Sequence, residues 1–110
     1  MADKAVLWLG SSREDIRRFP REARRKAGLE LRALQRGEEP ADFKPIASVG
    51  SGAYEIRIHA DGAYRVFYVA KFEEAIYVLH AFQKKTQKTA KHDIEIGRRR
   101  YQAAVQNRRG

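Results

Sequence analysis

The 110-residue chain contains no cysteine, which excludes a disulfide framework and a thiolate metal site. Its longest apolar runs, such as AIYVLHAF, have the length of a strand and fall far short of the roughly 20 apolar residues of a membrane-spanning helix. The first residues, MADKAVLWLG, lack the basic start and long apolar stretch of a signal peptide, so we expect a cytoplasmic protein without a membrane partner. No group of His, Asp and Glu has metal-ligand spacing, and no glycine-rich phosphate loop or Ser-His-Asp arrangement occurs. We therefore expect no metal and no cofactor.

Acidic residues are too few to balance the basic ones. The net charge is +9, and the sequence pI of about 10.2 favours a polyanionic partner. The excess lies in two segments: residues 84–110 carry nine Lys/Arg and two acids, and residues 13–36 carry nine and four. Residues 37–83 carry four basic residues and seven acids. Two solvated basic helix surfaces would give the same distribution, so charge alone does not establish a nucleic-acid ligand.

Hydrophobic periodicity predicts one domain, residues 1–110, of the α+β class. The predicted elements are a strand at 4–9, a short helix capped by Ser12, a second helix from Pro20 to Gly37, strands at 53–59, 63–71 and 75–84, and a helix from about 90 to 107. The order is β-α-α-β-β-β-α, an antiparallel sheet with two N-terminal helices and a C-terminal helix. Residues 38–49 hold two prolines without a clean period and are interpreted as a loop.

The helices have recognisable apolar positions. In the second helix these are Ala23, Ala27, Leu31 and Leu34. In the last helix Ile94, Tyr101 and Val105 share a face, Thr89 is the expected cap, Gly97 weakens the helix, and the tail is expected to fray from about residue 106.

The turn HADGA favours a three-residue loop, Ala60-Asp61-Gly62, with glycine at the position that needs a left-handed backbone. This loop places Arg57 opposite Arg65 on neighbouring strands. It also separates a core face (Tyr54, Ile56, Ile58, Tyr64, Val66, Tyr68) from a charged face (Glu55, Arg57, His59, Arg65, Phe67, Lys71). A two-residue loop would put Arg57 and Arg65 on opposite faces, and we prefer the register that sorts the residues more cleanly.

Facing arginines repel unless an anion lies between or above them. An even-numbered loop at Glu73-Glu74 would add His80, Phe82 and Lys84 to the same face. Lys84, Lys85, Lys88 and Lys91 then lead to the N-terminus of the last helix, where the helix dipole also favours an anion. These features together indicate a phosphate ligand.

The segment from EIRI through DGAYRVFYVAKFEEAIYVLHAFQKKTQKTAKHDIEIGRRRY resembles phage-derived, HigB-like toxins of the RelE/ParE superfamily, and FPREARRKAGLELRALQRGEEPADFKPI upstream fits as well. The combination of YRVFY with HAFQKKTQKT is the specific part. The resemblance implies a toxin of a type II toxin–antitoxin system that cuts mRNA on the ribosome. It also implies a cognate antitoxin, often of the helix-turn-helix type.

The resemblance also implies roles for individual residues. Arg65 matches the arginine that RelE-type toxins place beside the scissile phosphate, Arg57 matches a basic position on the preceding strand, and Lys84 with Lys85 matches a Lys-Arg pair. Glu55 stands where RelE has a lysine, so RelE's own acid–base assignment does not carry over. RelE's tail tyrosine has no matching position, since Tyr101 lies late, and His92 corresponds loosely to a late histidine of some HigB toxins.

The residues themselves suit metal-independent RNA cleavage, which needs a proton acceptor and cations for the charge that develops on the phosphate. The catalytic candidates are Arg57, Arg65, Lys84, Lys85 and His80, although a histidine inside an apolar strand is more often a hydrogen-bonded core residue than a base. The RNA-binding candidates are Lys88, Lys91, His92, Phe82, Arg98 and Arg99. Since facing arginines repel, we expect Arg65→Ala to keep or slightly raise thermal stability.

Two alternative functions stay open, and so does the role of one basic segment. ParE-type relatives share the fold and inhibit DNA gyrase without cutting RNA, and a basic RNA-binding module without activity would have a similar composition. The arginine-rich segment 13–36 could contact ribosomal RNA, bind an acidic antitoxin or be solvated.

Overall fold

The computed structural model describes residues 3–109, which form one sheet with helices on both faces. The elements are β1 (Ala5–Trp8), α1 (Ser12–Arg17), α2 (Arg21–Gln35), β2 (Phe43–Pro45), β3 (Ala53–His59), β4 (Ala63–Val69), β5 (Ala75–Lys84) and α3 (Lys91–Arg109). The five strands lie in the order β1-β5-β4-β3-β2. β1 runs parallel to β5, and the other neighbours are antiparallel. The predicted α+β fold class is confirmed. No helix within residues 3–109 has the length and apolar composition needed to cross a membrane.

One face of the sheet packs against α1 and α2. The four apolar positions predicted for the second helix, Ala23, Ala27, Leu31 and Leu34, are all buried in this layer. They meet the predicted core face of the hairpin, in which Ile56 and Val66 are fully buried. Alternation along β3 and β4 therefore identified this half of the core correctly.

The other face packs against α3 over part of its area. Phe67, Val69 and Leu79 are fully buried here together with Ala104. The line that α3 presents to the sheet runs through Ile94, Gly97, Tyr101 and Ala104, whereas Val105 lies to one side of it. Gly97 is buried, and a Cβ built on it would lie 2.8 Å from a ring carbon of Phe67. The glycine permits close contact between the helix and the sheet.

The β3–β4 hairpin has the predicted register, with Arg57 opposite Arg65 and His59 opposite Ala63. The loop backbone is left-handed at Asp61 (φ 53°), and Gly62 also has a positive φ of 142°. Between β4 and β5 the register shifts after Phe67, so that Phe67 faces His80 while Tyr68 faces Val78. Leu79 is the extra residue of this bulge, which brings His80, Phe82 and Lys84 to the same face as Arg65.

Three local predictions were wrong. Residues 43–45 form the short edge strand β2, which a three-residue length and Pro45 conceal in the sequence. The N-cap of α1 is Ser11, and the predicted cap, Ser12, is the first helical residue. The buried Ser12 hydroxyl instead donates to the Val78 carbonyl oxygen at 3.1 Å. The last helix is preceded by Ala90, whose carbonyl oxygen accepts from the Asp93 and Ile94 amides, and not by a Thr89 cap.

Candidate functional site

Charged and aromatic side chains lie side by side on β2, β3, β4 and β5, on the sheet face that α3 covers in part. The strand register aligns Arg57, Arg65 and Phe82 in one row across three strands. A second row holds Lys44, Glu55, Phe67 and His80, and a third holds His59, Ala63 and Lys84. We call the group Lys44, Glu55, Arg57, Arg65, Phe82 and Lys84 the arginine face.

Glu55 lies between the two arginines. Its Oε1 is 3.0 Å from Nε of Arg65 and 3.7 Å from Nε of Arg57. The side chains of Glu55 and Arg65 are 11% and 6% exposed, whereas that of Arg57 is 28% exposed. The premise that facing arginines have no anion between them is therefore wrong: the protein supplies a carboxylate, and we no longer expect Arg65→Ala to be neutral for stability.

The two arginines retain unused hydrogen-bonding capacity. Nη1 of Arg65 donates to the Tyr64 carbonyl oxygen at 3.0 Å. The Nε atoms of Arg57 and Arg65 are buried and have no well-aligned hydrogen-bond acceptor among the described residues, although Oε1 of Glu55 is close. Buried donors are nearly always satisfied in native proteins. The arrangement therefore sets two guanidinium groups against one carboxylate, so one positive charge of this group of three side chains is left without a counter-charge.

His80 is joined to α3 and packed between aromatic rings. Its Nε2 lies 2.7 Å from Oδ1 of Asp93, in the first turn of α3. The Phe82 ring stacks on the imidazole with centroids 5.0 Å apart, and Phe67 meets it edge-on at 5.9 Å. Burial lowers the pKa of His80 from its ordinary value, and the Asp93 carboxylate opposes that shift in part.

The contacts of His80 are those of a residue that joins α3 to the sheet. A neutral imidazole donates from Nε2 to the carboxylate, and Nδ1 is buried without a partner among residues 3–109. Nε2 is engaged by Asp93, and the side chain as a whole is only 7% exposed, so little of the imidazole is open to a ligand in this conformation. The structure thus favours the core-histidine alternative.

The remaining predicted residues spread around the arginine face. Lys84 ends β5 and is half-buried, and Lys85, Lys88, Lys91 and His92 are exposed in the loop and at the start of α3. Arg99 is exposed, whereas Arg98, also mostly exposed, donates from Nε to the Ser48 carbonyl oxygen at 3.0 Å and thereby ties α3 to the β2–β3 connection. The Tyr101 hydroxyl donates to the Ser51 carbonyl oxygen at 2.8 Å, which is a structural contact.

Sequence reasoning missed two residues. Lys44 is exposed on β2 directly opposite Glu55, so it adds a cation to the arginine face. The sequence does not indicate it, because residues 38–49 hold two prolines and no clean period and predict a loop. Asp93 was counted only as a charge, and the pairing with His80 depends on the placement of α3 against β5, for which no local pattern exists.

No group of three or more His, Cys, Asp and Glu side chains within the described residues 3–109 is placed to hold a metal ion. The chemistry available on this face is that of guanidinium and ammonium groups around a carboxylate. Such an arrangement can hold phosphate oxygens and exchange a proton.

Comparison with known families assigns the chain. The family model described as Phage derived protein Gp49-like (DUF891) matches residues 14–102, which include α2, every strand from β2 to β5, and most of α3. The chain belongs to this family. The Gp49-like family is a RelE/HigB-type toxin family, so the resemblance seen in the sequence is confirmed and this chain is a toxin of the RelE type.

A solved structure supports the same fold. The Gp49-like chain is similar to a chain in the crystal structure of the toxin–antitoxin complex RelBE2 from Mycobacterium tuberculosis, with 21% sequence identity and a TM-score of 0.52. The match covers 74% of this chain and 99% of that one. A search of curated proteins found no match.

Proposed function

We propose that this RelE-type toxin is a metal-independent endoribonuclease that cuts mRNA on the ribosome and thereby inhibits translation. The observation that carries the proposal is the arginine face: Arg57 and Arg65 lie on either side of Glu55, so two guanidinium groups share one carboxylate. A scissile phosphate is the anion for which this arrangement has capacity. The lysines that follow β5 would hold the neighbouring phosphates.

The proposed reaction uses residues of this face alone. The RNA phosphate takes the place of Glu55 beside the arginines, whose planar forks stabilise the charge that grows on its oxygens. The released Glu55 carboxylate accepts the proton of the adjacent 2′-hydroxyl. The 2′-oxygen bonds to phosphorus, and the bond to the 5′-oxygen breaks, with a proton supplied to that leaving oxygen from water.

Burial of Arg65 supports dependence on the ribosome. Free, flexible RNA must displace Glu55 from a guanidinium whose side chain is only 6% exposed. A substrate positioned by the ribosome has already lost the freedom that would oppose this exchange. We therefore propose little activity on naked RNA.

We also propose a cognate antitoxin, of helix-turn-helix type, encoded beside the toxin. A cation-rich face that damages the host requires a partner that covers it, and a net charge of +9 favours an acidic one.

Primer-extension mapping of cellular mRNA after induction tests the proposal. Cuts within translated codons support it, and cleavage of ribosome-bound mRNA by purified protein should confirm it. A DNA-damage response without cuts would identify a gyrase inhibitor, and the absence of both would identify a binding module. Robust, saturable cleavage of free RNA would contradict the ribosome dependence.

A further inference from the structure

A groove of about 370 Å³ lies beside the arginine face, between α2 and the end of β3 that extends past β2. Leu29 and Lys26 line it from α2, Ile58 and His59 from β3, and Ala41 from the chain before β2. Arg57 lines it too. One residue therefore belongs both to this groove and to the proposed catalytic face.

The groove has an apolar centre that the free protein leaves in water. Leu29 is 56% exposed, more than the other two exposed large hydrophobic residues of the described chain, Leu7 at 45% and Trp8 at 36%. It lies on α2, which carries five Lys/Arg and two acids. Exposed apolar surface that is rimmed by polar groups is typical of protein-binding sites.

The rim carries uncompensated positive charge. Within residues 3–109, the one hydrogen bond of the Lys26 ammonium goes to the neutral carbonyl oxygen of His59, at 2.7 Å. Arg57 and Arg65 share a single carboxylate, that of Glu55. The two acids of the groove are already engaged, since Glu30 accepts from the Ala41 amide at 2.6 Å and Asp42 lies 3.6 Å from His59. A partner that supplies carboxylates matches this rim.

We propose that this groove seats an acidic segment of the antitoxin, with one apolar side chain against Leu29 and carboxylates at Lys26 and Arg57. The inference rests on the proposed function. Of the three roles open to the basic segment 13–36, namely contact with ribosomal RNA, binding of an acidic antitoxin and simple solvation, it selects antitoxin binding. A segment seated in the groove lies beside Arg57, at the edge of the arginine face, so occupation of the groove restricts access to that face without covering every lysine.

RNA suits the groove less well. The residues that line it include no phenylalanine, tyrosine or tryptophan on which a base could stack. The exposed leucine at the centre of the groove contributes nothing to phosphate binding. These features favour a protein over a nucleic acid.

Leu29→Lys distinguishes a protein ligand from RNA. It removes the apolar side chain that a protein segment would contact, and it adds a cation that RNA would favour. The full chain would be titrated with the purified product of the adjacent gene, and separately with 70S ribosomes. Leu29→Lys should raise the Kd for the adjacent gene product by ~30-fold or more, the effect of losing a central contact residue. Leu7→Lys, which changes another exposed leucine, on the opposite edge of the sheet, is the matched control and should leave that Kd within about twofold.

A second variant tests the rim. Lys26→Gln keeps the length of the side chain and most of its packing, and it should slow association with the adjacent gene product and flatten its salt dependence. Thermal melting of each variant checks that it is folded.

The outcomes are distinct. If wild type binds the adjacent protein and folded Leu29→Lys binds it equally well, the groove assignment is overturned while the proposed function stands. If Leu29→Lys instead gains affinity for ribosomes with no loss for the adjacent protein, the groove is an RNA contact. If the wild-type chain does not bind the adjacent protein at all, both the proposed antitoxin and the groove assignment fail.

Discussion

Glu55 changes how Arg65 can be tested. Arg65→Ala removes a guanidinium that stabilises developing charge, so cleavage of ribosome-bound mRNA should fall by ~10²–10³, as when an oxyanion donor is lost. It also leaves a nearly buried carboxylate with Arg57 as its remaining ion-pair partner on the face. Breaking a buried pair from one side is destabilising, by about 3 kcal/mol at the low end of the usual range. Denaturant unfolding and a cleavage assay on the same sample measure the two effects.

The double variant Arg65→Ala/Glu55→Gln separates stability from chemistry. Glu55→Gln removes the carboxylate that Arg65→Ala leaves without its nearest partner, so it should recover much of the lost stability. Cleavage should stay low, because the Arg65 guanidinium is still absent. Arg65→Lys should restore activity only in part, since an ammonium does not hold two oxygens in one plane. A well-folded double variant that cuts at the wild-type rate would remove Arg65 and Glu55 from the active site.

The lysines after β5 should act on binding more than on the chemical step. Lys84→Ala/Lys85→Ala should weaken RNA engagement and reduce the slope of log affinity against log salt by roughly 0.7 per lost phosphate contact on a single strand. Arg13→Ala/Arg17→Ala, which removes two exposed charges from α1, is the matched control. Equal slopes for the two double variants would mean that the lysines make no specific contact.

His80 should make stability depend on pH. Burial lowers its pKa from the ordinary 6.5, so below that pH the unfolded chain binds more protons than the native chain. Stability from this residue is fully present above about pH 6.5 and declines as the pH falls through that value. Unfolding free energies measured between pH 7.5 and 5.5 should show the decline in wild type, and His80→Gln should reduce it.

At the scale of elements, the placement of α3 depends on one glycine. Gly97→Ala should destabilise the protein even though alanine favours helix by about 1 kcal/mol, because a crowded core costs about 1–3 kcal/mol. The new methyl group would lie 2.8 Å from Phe67 and 3.1 Å from Val49, both buried. Gly28→Ala, in α2 with no atom within 4 Å of the new methyl group, should raise the melting temperature. A stabilised Gly97→Ala would show that α3 is free to move away from the sheet.

How much of the structure the sequence predicts depends on the range of the interactions. Arg57 opposite Arg65 follows from a local turn and two alternating strands, and it is confirmed. The pairings of Lys44 with Glu55 and His80 with Asp93 join segments whose relative placement has no local signal. The burial of Arg65 escaped prediction for the same reason: alternation identifies a face but not what covers it.

At the scale of the whole molecule, we expect chelation to have no effect. Guanidinium and ammonium groups already occupy the role that a metal would play on the arginine face, and residues 3–109 hold no cluster of potential ligands. Toxin treated with EDTA and then desalted should cut mRNA on intact, magnesium-containing ribosomes as fast as untreated toxin. Loss of activity that zinc or manganese restores would contradict this scheme.

The pairing of β1 with β5 joins the two ends of the fold. Ala5 lies opposite Ala75, and the Lys4 ammonium donates to the carbonyl oxygens of Ala70 and Phe72 at 2.7 and 2.8 Å. Contacts of such high sequence separation form late, since most of the chain must first be synthesised at roughly 5–20 residues per second. The N-terminal strand therefore has no docking site while the nascent chain is short. The sheet is therefore completed at β1 only after β5, which ends at Lys84, has left the exit tunnel.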